Sequence, residues 1–238
     1  MPNYLEDFER ALGNIDELVA FPDRMRTYVI GTVSPLLKSS KIDYLERTKI
    51  QNIIKALEGV HNQSLRSSYK IVYNQCCVLG VSALSAALER FFVQYAAQHH
   101  EEINQKQLSK IRISLSELSS LSYQPQDHIG RIILNKDNTI NFQDLQSTKR
   151  SFKDYFNVDI TVEATIQKQI IFYQQCRHII VHKGGIVDEE FISRLLIADA
   201  NLKNFKLGDE IQLYVHDWTK VKQSFMTLIE SVTSVPIE

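Results

Sequence analysis

Cysteine is scarce in this 238-residue chain and badly placed for cross-linking: there are three, Cys76, Cys77 and Cys176, two of them adjacent and all in apolar sequence of helical character. They form no disulfide framework and read as reduced core thiols in a cytoplasmic protein. An excess of either charge is also missing. Lys plus Arg number 27 against 28 for Asp plus Glu, a net charge of -1, so bulk electrostatics draws the chain to no polyanion and any nucleic-acid contact must come from a local patch. The opening MPNYLEDFER is acidic and lacks the apolar segment of a secretory signal, so export is not expected. The long apolar run from Ile71, IVYNQCCVLGVSALSAALERFFVQYAA, is broken by Asn74, Gln75, Ser82, Ser85, Glu89 and Arg90, which suits a buried helix better than a membrane span. Repeats, low-complexity tracts and linkers are absent too, so a single domain over residues 1–238 is expected.

What the chain does have is 44% hydrophobic residues, enough for a sizeable core, recurring three and four apart with charges between them. YLEDFERALGNIDELVAF and IDYLERTKIQNIIKALEGV are examples, and the fold class predicted is all-α. Pro22 and Pro35 mark early breaks, Asp43 caps the helix after it, and Gly59 lies near that helix's end. Residues 67–100, with no proline and only Gly80, form the central helix of a bundle, and the HHEE at its end, His99 to Glu102, reads as a solvated terminus in preference to a metal site. Between Tyr123 and Asn141 the pattern changes to Pro125, Gly130 and KDN among short β-prone runs, predicting a long connection or a small β-hairpin. Helical spacing returns at FQDLQSTKRSFKDYF and from Val162 to His182; LGDEIQLYV has extended character, and a last amphipathic helix follows.

The most pointed stretch is RHIIVHKGG, residues 177–185. It closes the helix from Val162 at Gly184, and Asp188, followed by Glu189 and Glu190 with Val187 and Ile192 placed as a hydrophobic staple, starts a second helix at once. By residue type alone His182 fits the negative end of its helix, and Arg177 can be a solvated side chain. An Arg followed by a His at this spacing is expected roughly once by chance in such a chain, so spacing is weak support for function. His178 and His182, four apart, share a helix face as paired zinc ligands do, but no acid or cysteine stands at the next useful position.

The string QQCRHIIVHKGGIVDEEF resembles the signature of HEPN-superfamily proteins, in which an Arg, a polar residue and, after apolar residues, a His lie near a helix end; here these places are taken by Arg177, His178 and His182. FKDYFNVDI before it, GG after the histidine and the distal LGDEIQLYV plus final helix look like the larger prokaryotic RiboL-PSP-type HEPN domains, associated with defence systems and toxins. The resemblance covers about residues 67–235, with residues 1–62 as additional N-terminal helices. It implies metal-independent RNA cleavage without a cofactor, in the cytoplasm, for phage defence or as a toxin. RNA supplies its own nucleophile, the 2′-hydroxyl; histidine moves the protons and a guanidinium meets the phosphorane's charge. Residues five apart differ by about 140° in direction on a helix, so Arg177 and His182 do not aim together easily, and the family's answer is a homodimer with a composite site. In that picture His178 orients phosphate or the catalytic histidine, and Tyr173 and Lys183 contact base and phosphate. The apolar positions Ile179 and Phe172 flank the site and meet the partner provided they do not face the bundle core. Where some HEPN toxins carry a tyrosine two residues after the histidine, modified by a nucleotidyltransferase antitoxin, this chain has Gly184, which disfavours that kind of partner. The alternatives are a catalytically inactive HEPN module binding RNA, a nucleotide or a defence-system partner protein, and a purely structural helical protein.

Overall fold

A computed structural model describes residues 4–39, 41–58, 63–120, 125–200 and 203–234. Within them the chain is helical. Ten α-helices run in order: α1 (Tyr4–Val33), α2 (Tyr44–Glu58), α3 (Gln63–Gln98), α4 (Gln105–Leu108), α5 (Leu115–Ser120), α6 (Ile129–Lys136), α7 (Leu145–Phe156), α8 (Ala164–His182), α9 (Glu189–Ile197) and α10 (Val215–Thr233). The only β pairing among the described residues is one antiparallel bridge, Ile186 to Glu210.

α3 is the central helix, and α1, α6, α8 and α10 pack around it. Its stretch from Tyr69 to Gln98 is long and apolar enough to cross a membrane, but half of its most apolar 18 residues are buried inside the bundle. The aromatic centre is Phe92, whose ring meets Phe142, Phe152, Tyr155 and Phe156 at centroid distances of 5.4–5.9 Å, in tilted or edge-on arrangements that suit the ring quadrupoles. α1 contributes Phe8, Leu12, Ile15, Val19 and Pro22, spaced four, three, four and three apart, to the same face. α1 therefore shares the main core, whereas α2 has no buried side chain among its described residues. Trp218 Nε1 donates to Asp16 at 2.7 Å, tying α10 to α1 as well.

Several local expectations hold. Asp43 caps α2 by accepting from Glu46 N at 2.7 Å, and Pro35 begins the 3-10 turn that ends α1. Asp144, not singled out from the sequence, likewise caps α7 by accepting from Ser147 N at 2.7 Å. All three cysteines are free and buried, and burial pushes the Cys76 thiol up to about 11 and raises Cys77 and Cys176 too, so none is a ready nucleophile.

Other expectations are corrected. Pro22 does not break α1: it lies inside the helix on the buried stripe, where packing offsets the missing N–H bond. The small β-hairpin expected at 123–141 is not there. Residues 125–128 form a 3-10 turn and Ile129–Lys136 are α6, with Gly130 so close to α3 that a Cβ would stand 2.6 Å from the Val93 Cα. That contact and the burial of Ile132 and Ile133 override the β preference of the run. Residues 123 and 124, like Gly59, lie outside the described residues. His99 is not solvated: it is buried, stacks on Tyr95 at 4.2 Å and meets Glu102 at 3.0 Å.

Candidate functional site

α8 runs through the bundle and emerges at its C-terminal end. Upstream, Ile170 to Cys176 are all buried; downstream, Val181 and His182 are exposed, with Arg177 and His178 half-buried at the transition. Two glycines in the left-handed region, Gly184 at φ +63° and Gly185 at φ +79°, turn the chain sharply, and the N–H groups of Lys183 and Gly185 both bond Ile179 O, at 2.9 and 3.0 Å. Asp188 accepts from Phe191 N at 2.8 Å and opens α9. Val187 and Ile192, the expected staple pair, both pack into the core. The result is a rigid corner with α9 folded back beside the end of α8.

On a regular helix, counting from Arg177, Val181 lies about 40°, His178 about 100° and His182 about 140° around the axis. These four side chains form one outward arc. The His178 and His182 rings sit 4.9 Å apart at 48°. Burial holds the His178 pKa below the usual histidine value, and the nearby charges of His182, Arg194 and Arg177 act the same way against a partial opposing effect of Glu190. A neutral imidazole that resists protonation is a proton acceptor at neutral pH. Arg177 forms no ion pair among the described residues, and its Nε is buried without a hydrogen-bond partner. An unpaired guanidinium N–H in that position is costly unless something anionic or polar meets it.

Arg194 and Glu190, which pair with each other, come within electrostatic reach of His178 from α9. The sequence marks Glu190 only as a first-turn acid of α9 and Arg194 not at all, although their spacing of four after the Asp188 cap was the available signal. Lys183 is exposed and lies 3.7 Å from the Asp188 carboxylate. Tyr173 is misplaced as a base contact. It is 1% exposed, packs edge-on against Phe172 at 5.2 Å, and stands one turn inside the bundle. Phe172 and Ile179, expected to flank a partner, are likewise core residues at 0% and 1% exposure. The exposed apolar side chains at the corner are Val181 and Ile186; Leu196 and Ile197 are exposed too, but at the far end of α9, beside the Lys168–Asp199 pair.

The arrangement offers a cation, a neutral imidazole and an exposed histidine along one arc. Among the described residues no cluster of three histidine, cysteine or carboxylate side chains is assembled for a metal ion. No family model, curated protein or solved structure matches the chain.

Proposed function

We propose that the chain is a HEPN-like endoribonuclease that cleaves RNA without a metal at a site built from Arg177, His182 and His178, working as a homodimer in the cytoplasm in phage defence or as a toxin. One observation carries the reading: half-buried Arg177 shares an arc with His178 and His182, its Nε has no hydrogen-bond partner, and it forms no ion pair among the described residues. A phosphate is the natural partner for such a guanidinium. In the reaction the 2′-oxygen attacks the adjacent phosphorus while a histidine removes its proton. The bond to the 5′-oxygen breaks, that oxygen receives a proton from a protonated imidazole, and Arg177 faces the charge that builds on the phosphorane oxygens. The products are a 2′,3′-cyclic phosphate and a 5′-hydroxyl.

The test is incubation of labelled RNA with the purified protein in EDTA, with fragment ends read by mass spectrometry. Cleavage to those ends is expected, reduced by about 100-fold or more in His182→Ala and Arg177→Ala and less in His178→Ala, with unchanged helicity. Wild-type cleavage by His182→Ala would remove the site from consideration, and a 5′-phosphate product dependent on a divalent ion would move the chemistry to a metal held by His178 and His182. Absence of cleavage with retained RNA binding would favour the inactive binding module.

A further inference from the structure

The segment between α9 and α10 carries a cleft of about 470 Å³ that the proposed chemistry does not use. Its wall is an extended stretch with strict alternation. Ile211 and Leu213 point inward and are buried, while Glu210, Gln212 and Tyr214 line the cleft. The inward face is fixed by a buried amide: Asn74 Nδ2 donates to Ile211 O at 3.0 Å and its Oδ1 accepts from Leu213 N at 3.2 Å. Beneath lies Asp217, 2% exposed, accepting from Tyr214 N at 2.8 Å and pairing with Lys203 Nζ at 2.8 Å. A loop held by two buried polar side chains is preorganised for binding.

Its chemistry selects a class of ligand. The rings of Tyr214 and His216 stack nearly parallel, 7° apart in tilt with centroids 5.8 Å apart, and Lys203 Nζ lies 5.6 Å from the Tyr214 ring. Such an aromatic platform suits a flat heterocycle. Glu210, paired with Lys70 through Oε1, and Asp209, accepting from Lys206 N through Oδ2, each keep a second carboxylate oxygen as an acceptor, and Lys203 is neutralised by Asp217, so the cleft offers a phosphate no unpaired lysine. Carboxylates accept from amino groups on a base edge.

The cleft is joined to the α8–α9 corner. Ile211 N donates to Gly185 O at 2.7 Å, Val187 N to Asp209 O at 2.8 Å and Gly208 N to Val187 O at 2.9 Å, so its wall begins three residues beyond His182. We infer that this cleft receives one unpaired nucleobase bearing an exocyclic amino group, from an RNA strand whose backbone passes the corner. The inference rests on the reading of the corner as an RNA site, and it gives that site a base preference against uracil.

The test uses fluorescein-labelled, fully 2′-O-methylated hexamers of A, C or U, which cannot be cleaved, with affinity read by anisotropy. The A and C hexamers are expected to bind about tenfold more tightly than U, the scale of one good stacked and hydrogen-bonded base. Tyr214→Ala should remove about tenfold from C binding, Tyr214→Phe should largely restore it, and Glu210→Gln should narrow the gap between C and U; circular dichroism confirms that each variant is folded. Equal affinity for C and U, indifference to Tyr214→Ala, or no binding of any hexamer overturns the cleft. Base preference without cleavage of ordinary RNA would sustain the cleft and refute the nuclease. Cleavage without base preference would do the reverse.

Discussion

At the scale of single residues, His178 is the side chain whose behaviour follows most directly from its surroundings. It is half-buried beside His182, Arg177 and Arg194, so the folded state holds its pKa down through burial first and cationic neighbours second. The unfolded chain takes up that proton at about pH 6.5, before the folded chain does. Below that pH the unfolded state therefore binds more protons, and stability that is fully present above it is lost as pH falls through the lowered folded value. Guanidinium denaturation midpoints at pH 7.5 and pH 5 should fall further for the wild type than for His178→Gln. Parallel behaviour of the two proteins would show that His178 is not held neutral by the fold. Tyr173 teaches the opposite lesson: its residue type suits base stacking, yet its 1% exposure makes it a packing residue.

At the scale of the element, the corner between α8 and α9 is the local structure on which both the arc and the cleft depend. Its parts are the left-handed pair Gly184 and Gly185, the Asp188 cap and the backbone bonds to residues 208–211. Asp188→Ala removes the acceptor for Phe191 N and should lower stability by about 1 kcal/mol, while Asp188→Asn should recover most of it, because asparagine caps nearly as well. Chemical denaturation of the two variants measures this, and equal losses in both would point to the Lys183 contact in place of the cap. The corner was legible in the sequence because glycine pairs, N-caps and staples act over four residues. The failed hairpin at 123–141 shows the limit of local signals: short β-prone runs became α6 because Gly130 lets that segment lie directly on α3.

At the scale of the whole molecule, the question is how Arg177 and His182 meet one phosphate when they stand at opposite edges of an arc of about 140°. A second protomer facing the arc solves it, and the apolar side chains at the corner available to hold one are Val181 and Ile186, at 46% and 45% exposure. Val181→Asp and Ile186→Asp should each lower the dimer fraction and RNA cleavage together, without the large loss of stability that charging Phe172 or Ile179 in the core would cause. Sedimentation and cleavage on the same dilution series check this, since activity per milligram must track the dimer fraction by mass action. Full specific activity in a monomer would refute the composite site.

The sequence by itself determined the all-helical class, the caps of α2 and α9, the reduced thiols and the sharp turn after His182, because each depends on residues within a turn or two of one another. It did not determine which side of α8 faces outward. Ile170, Ile171, Phe172 and Tyr173 are consecutive, and a helix buried on most sides carries no apolar stripe from which a face can be read. Only the tertiary structure decided that Tyr173, Phe172 and Ile179 belong to the core, that Arg177 stands without a counter-charge, and that residues 203–216 wrap against Asn74 and Asp217 to form a cleft beside the corner. Those outcomes depend on contacts between segments up to 139 residues apart, such as Asn74 with Leu213, and burial created by such contacts leaves no local mark on the chain.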